Sequence, residues 1–137
     1  MNLKNKTLFV TAGASGMGRS FAEHIARSGG NVIIADVDLA AAEALVASLP
    51  SAVAIACDVS DTDQVERARD IALERFGSVD LVMSHAGITQ PGALGDLTDA
   101  AWTKVFDVNV VGMARVLRAF TPHFIERAAG HFVLTTS

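Results

Sequence analysis

The sequence predicts an α/β fold, a doubly wound parallel sheet of five strands in the spatial order 3-2-1-4-5, and three observations predict it. Short β-rich runs alternate with longer stretches whose apolar residues recur at helical spacing. Each short run is apolar at nearly every position, as strands covered by helices on both faces must be. Crossovers between parallel strands are right-handed, and a reversal after the third strand places the later strands on the other side of the first.

Thr7 to Thr11 (TLFVT) is the first strand. Met17, Phe21 and Ile25, with Ala22 and Ala26, form the stripe of the first helix, which Gly29 and Gly30 close. Val32 to Ala35 is the second strand. Asp38 caps a second helix whose inward face is Ala42, Leu45, Val46 and Leu49, and Pro50 follows its end. Ala52 to Ala56 is the third strand. Ser60 and Asp63 have the spacing of a capping box, opening a helix that buries Val65, Ala68, Ala72 and Phe76 and ends at Gly77. Val79 to Met83 is the fourth strand, and Gly87 to Leu97 reads as an exposed loop. Thr98 caps one long helix carrying Trp102, Val105, Phe106 and Asn109, then Met113, Val116, Leu117, Phe120 and Phe124. After Gly130, His131 to Thr136 is the fifth strand.

The length of 137 residues fits one domain, 1–137, without repeats or linkers. Because the fifth strand reaches the last residue, the architecture is expected to be truncated on its C-terminal side. Half the residues are apolar, 19% are charged and 6% aromatic, a profile that specifies a globular protein with an aliphatic core. The 11 basic and 15 acidic residues, net −4, are interspersed without a Lys or Arg run, which argues against nucleic acid or an anionic membrane as partner. Leu8, Phe9 and Val10 follow Lys4 and Lys6, but Thr11 and the glycines from Gly13 onward cut this stretch short of a signal-peptide core. No span approaches the roughly 18 apolar residues of a membrane helix. The lone Cys57 reads as a small core residue and suits a reducing cytoplasm. Tyrosine is absent.

Directly after the first strand comes Thr11-Ala12-Gly13-Ala14-Ser15-Gly16-Met17-Gly18, opening the first helix. Glycines there keep the turn tight, let the backbone approach a pyrophosphate and let helix and strand pack closely, while the helix N-terminus supplies amides and partial positive charge. Elsewhere the cluster would be a tight turn; at the start of a βαβ unit it points to dinucleotide binding. Asp36 ends the second strand, where a carboxylate accepts both hydroxyls of an adenosine ribose. Asp38 is better placed than Asp36 to cap the next helix. Val37 follows Asp36, so a 2′-phosphate would meet a carboxylate and no cation, favouring NAD over NADP. Asp58 follows the third strand near the place of an adenine edge, either accepting from its amino group or standing as a solvated loop carboxylate. His24, His123 and His131 read as packed or surface residues.

In this order the motifs resemble the N-terminal part of the short-chain dehydrogenase/reductase family, from Thr7 to Ser137. The likeness rests on the glycine turn at Ala12 to Gly18, Asp36, the pair Asp58 and Val59, the family's Asn-Asn-Ala-Gly position after strand four, Asn109 in Asn109-Val110-Val111-Gly112, and the serine ending strand five. The resemblance implies a Rossmann-type NAD site formed by Ala12, Gly13, Ser15, Gly16, Met17, Gly18, Asp36, Val37, Asp58, Val59, His85, Ala86, Gly87 and Ile88. It implies hydride transfer between NAD and a small alcohol or carbonyl substrate, with no metal, in a homo-oligomer (dimer or tetramer) of the full-length protein. Asn109 corresponds to the asparagine that organises a proton-relay water. Ser137 corresponds to the serine that polarises the substrate oxygen.

Two positions depart from the family. Ala12 stands where the first glycine is usual, and Ser84-His85-Ala86-Gly87 replaces Asn-Asn-Ala-Gly, so a hydroxyl and an imidazole must take over amide hydrogen bonds. The family's acid/base tyrosine, with a lysine four residues on, would fall beyond Ser137, so the 137 residues alone are expected to be inactive. Two other readings compete. A non-catalytic dinucleotide-sensing or scaffold module is favoured by the missing tyrosine, and a methyltransferase would want a tighter Gly-x-Gly-x-Gly turn preceded by an acid.

Overall fold

The computed structural model describes residues 2–136. Five parallel strands form one sheet: β1 (Thr7–Thr11), β2 (Asn31–Asp36), β3 (Ala52–Ala56), β4 (Leu81–Ser84) and β5 (His131–Leu134), in the order β3-β2-β1-β4-β5. Register is continuous through the centre, with Phe9 opposite Ile33 and Val82, and Val82 opposite Phe132. The expected order is therefore the observed one, with β1 at the point where the chain changes direction.

Alternate residues of the strands feed two cores. Phe9, Ile33, Ile55 and Val82 face α3 (Thr62–Phe76) and α5 (Met113–Arg127), which supply Val65, Ala68, Ala72, Val116 and Phe120. Phe120 stacks against Phe9 with ring centroids 4.7 Å apart, in the tilted arrangement aromatic pairs prefer. On the other face Leu8, Val10, Val32, Ile34 and Met83 meet α1 (Gly16–Arg27) and α2 (Leu39–Val46). β1 is buried throughout, whereas β5 is paired on one side only and leaves Val133 and Leu134 exposed.

Several sequence expectations are corrected here. The inward face of α1 is Gly18, Ala22, Ile25 and Ala26, while Met17 and Phe21 are exposed. Small residues face the sheet because the helix lies close against it. The cap of α3 is Asp61, not Ser60: its carboxylate accepts from the amides of Asp63 and Gln64, and the Gln64 carboxamide donates back to it at 2.9 Å. Phe76 is half-buried. The long helix after Thr98 divides into α4 (Asp99–Phe106), a π-helical segment (Asp107–Gly112) and α5, with Trp102 and Phe106 exposed. Asp38 does cap α2, accepting from Ala41 N at 3.0 Å.

At the amino ends of the strands Asp80 is the hub. Its carboxylate accepts from the Thr7 amide, from Lys6 Nζ at 3.2 Å and from Arg127 Nη2 at 3.1 Å. Burial would raise this carboxyl's pKa, but the Thr7 N–H and the two cations outweigh it and hold Asp80 below the ordinary carboxylate value. Among the described residues no helix is long and apolar enough to cross a membrane.

Candidate active site

The carboxyl ends of the strands converge on one edge of the sheet, and the turn from β1 to α1 stands at its centre. Ala12 takes a left-handed φ of 51° and Gly16 one of 53°. The first accounts for glycine in the family at this position, since a side chain there costs about 1–2 kcal/mol. Gly18 admits no side chain at all: a Cβ would lie 2.3 Å from the carbonyl oxygen of Ala12. A Cβ on Gly13 would stand 2.7 Å from Val10 Cγ1. The turn is thus folded back on itself by the absence of two side chains. Ser15 occupies the N-cap of α1 and makes no side-chain cap, and Ser15, Gly16 and Met17 are exposed at this helix N-terminus.

Asp36 ends β2 beside this turn and is 8% exposed. One carboxylate oxygen accepts from Ala14 N at 2.9 Å and the other from Asp38 N at 3.0 Å. It therefore shapes both the glycine turn and the entry to α2, and each oxygen keeps a further lone pair for a ligand hydroxyl. The next side chain, Val37, is 72% exposed. Beyond β3, Asp58 Oδ1 accepts from the amide and hydroxyl of Ser60, at 2.8 and 2.6 Å, and Gln64 accepts from the Asp58 amide. Val59 beside it is buried. Burial first, and the Asp58 and Asp61 carboxylates second, push the Cys57 thiol up to about 11, so this cysteine is inert as a nucleophile near neutrality.

The loop after β4 is held from two sides. Thr11, buried at the end of β1, accepts through its hydroxyl from the amides of His85 (2.9 Å) and Ala86 (3.0 Å). Asn109, inside the π-helical segment, grips the backbone of a single residue: its Oδ1 accepts from Ile88 N at 2.8 Å and its Nδ2 donates to Ile88 O at 2.9 Å. The imidazole of His85 shares a 2.9 Å hydrogen bond with the Thr135 hydroxyl, and the Ser84 carbonyl accepts from the Thr135 amide. His85 accordingly bridges β4 to the chain beyond β5, while Ser84 contributes there through its backbone. A cavity of about 600 Å³ opens between these groups and α4, lined by His85, Ile88, Trp102, Phe106, Asn109 and Thr135 among others. Thr136, beyond the end of β5 at Leu134, lines it too. Ser137 lies outside the described residues.

The family model for short chain dehydrogenases matches residues 6–137. The chain belongs to this family. It is 34% identical to galactitol 2-dehydrogenase of Agrobacterium fabrum over 131 residues, 95% of this chain and 51% of that protein. A sorbitol dehydrogenase of Cereibacter sphaeroides is 35% identical over the same share of both. Among solved structures, a short-chain dehydrogenase/reductase of Burkholderia phymatum in complex with NAD superposes with a TM-score of 0.91 at 37% identity, covering 100% of this chain and 50% of that one. A 3-ketoacyl-(acyl-carrier-protein) reductase of Brucella melitensis complexed with NADH gives 0.88 at 33% identity, over 91% and 52% of the two chains. The chain spans about half the length of these relatives.

The structure gathers the residues singled out from sequence along one edge: the turn 12–18, Asp36 and Val37, Asp58 and Val59, and the segment 85–88 with Asn109. Sequence reasoning missed the Thr11 hydroxyl, the Thr135 partner of His85, and Arg115, whose guanidinium reaches the carbonyl of Val59. These are long-range contacts, and no local pattern announces them.

Proposed function

We propose that the chain forms the NAD-binding module of an oxidoreductase that interconverts a small alcohol and its carbonyl compound. The observation that carries this reading is the turn 12–18, closed so tightly that Gly18 has no room for a Cβ, with the buried Asp36 carboxylate beside it and no cation following. These residues fit a dinucleotide. Gly13, Ser15, Gly16, Met17 and Gly18 with Ala12 hold the pyrophosphate, Asp36 takes the ribose hydroxyls and rejects a 2′-phosphate, and Asp58 and Val59 border the adenine. His85 to Ile88 line the far end of the cofactor.

Bound NAD supplies hydride chemistry. The chain's own residues position and polarise: Asn109 holds the backbone of Ile88 and organises water at the cavity, and the Ser137 hydroxyl donates to the substrate oxygen as charge develops on it. No tyrosine occurs in these residues, so the proton step is assigned to none of them. The rival reading is a dinucleotide-sensing module on the same fold.

Absorbance of reduced nicotinamide, followed with a panel of secondary alcohols and the whole protein, separates the two. Turnover with NAD that falls about 10²–10³-fold in Ser137→Ala while NAD binding persists supports the enzyme. NAD binding without turnover on any alcohol or carbonyl compound supports the sensor. Turnover unchanged in Ser137→Ala would remove that residue from the reaction.

A further inference from the structure

Asn109 owes its place to the π-helical segment Asp107–Gly112, and one side chain spans that segment. Arg115 Nη2 forms an ion pair with Asp107 Oδ1 at 2.8 Å, while its Nη1 donates to the carbonyls of Asp107 and Val59, each at 3.3 Å. The arginine side chain is 16% exposed and that of Asp107 38%, so the contact is shielded on the arginine side. Eight residues of regular α-helix turn through roughly 800°, which leaves positions 107 and 115 about 80° apart around the axis. The wider π turn absorbs that excess and returns both to one face. The Asp107–Arg115 pair is made in the π form, whereas an α form would set its two positions out of line.

Packing against Val59 has the same sense. A Cβ on Gly112 would stand 2.7 Å from Val59 Cγ2, so this turn presses directly on the loop after β3, and Arg115 ties the two together.

We propose that Arg115 is a positioning residue: its guanidinium selects the π form of Asp107–Gly112 and so sets where the Asn109 carboxamide stands against Ile88, in register with the Asp58–Val59 loop. The proposal rests on the role given to Asn109 above. Arg115 touches neither the cofactor nor the substrate; relaxation to α would move Asn109 relative to α5 and release Ile88.

The test compares Arg115→Met, which keeps the aliphatic stem, Arg115→Lys, which keeps the charge without the fork, and Asn109→Ala, all in the whole protein. The expected result for Arg115→Met is turnover lowered about 10–100-fold with NAD affinity far less affected, since displaced catalytic groups cost about that much. Arg115→Lys recovers part of the loss. Independently of turnover, amide hydrogen exchange across 107–113 accelerates in Arg115→Met, and its crystal structure shows an α-helix there. Full turnover in Arg115→Met, or loss of turnover with the π segment intact, overturns the proposal. If Arg115→Met does not fold, Arg115→Lys decides on the same readouts. Loss of turnover in Asn109→Ala but not in Arg115→Met rejects the clamp alone. Full turnover in Asn109→Ala rejects the role of Asn109, and with it the catalytic consequence of the clamp.

Discussion

The two ends of the sheet are fastened by different chemistry. At the amino ends, charged side chains meet one another: Asp80 gathers Lys6 and Arg127 and also caps the Thr7 amide. At the carboxyl ends, side chains address the backbone: Thr11 the amides of His85 and Ala86, Asp36 those of Ala14 and Asp38, Asn109 the amide and the carbonyl of Ile88. An ion pair holds two elements together but says little about the path between them. A side chain bonded to a loop amide dictates that path, and the carboxyl ends are where a ligand of fixed shape must be met. The amino end therefore carries, through Asp80, a contribution to stability that acid removes, and the proposed binding function falls to the carboxyl end.

Gly18→Ala should separate the two ends most sharply. Its Cβ collides with the Ala12 carbonyl, so the turn must shift; the expected cost is about 1–3 kcal/mol of stability and the loss of measurable NAD binding by calorimetry. Thr11→Val should come next. It keeps the shape of a residue 1% exposed but strands the His85 and Ala86 amides, at about 1–3 kcal/mol in denaturant melts, and NAD affinity should fall with it.

The smallest effect belongs to Asp80→Asn, about 1 kcal/mol at neutral pH with NAD affinity unchanged. Because the folded-state pKa of Asp80 lies below its ordinary 3.8, the carboxylate's contribution is complete above that value and is lost as pH falls through the depressed one. The variant's stability should accordingly respond less to acid below about pH 4 than the parent's does, as urea melts across pH 3–7 would show. An acid limb unchanged by the substitution would contradict the assignment.

Much of the fold was legible because strands buried on both faces leave uninterrupted apolar runs, and because Asp38 and Gly77 carry local chemistry that ends or begins helices. The face of α1 was not. Met17, Phe21 and Ile25 share a helical spacing, but Gly18 and Ala22 set the contact with the sheet, and small residues leave no hydrophobic signature of their own. The Asp61 cap was present in the sequence, with Gln64 at capping-box distance, one residue away from the pair chosen. In the site, the glycine turn and Asp36 are local and could be read directly. Thr11 to His85, His85 to Thr135 and Arg115 to Val59 join positions far apart in the chain, and the π segment leaves the apolar pattern of a helix intact.

The central claim is that Asp36, held by the glycine turn and followed by Val37, makes the carboxyl end a site for NAD. Calorimetric titration of the whole protein and its Asp36→Ala variant with NAD and NADP tests it most directly. The parent should bind NAD more tightly than NADP. The variant should lose about 1.5–3 kcal/mol of NAD binding, roughly 10- to 100-fold, while NADP changes little or improves. Equal NAD and NADP curves for the parent, or an unchanged ratio in the variant, would contradict the account.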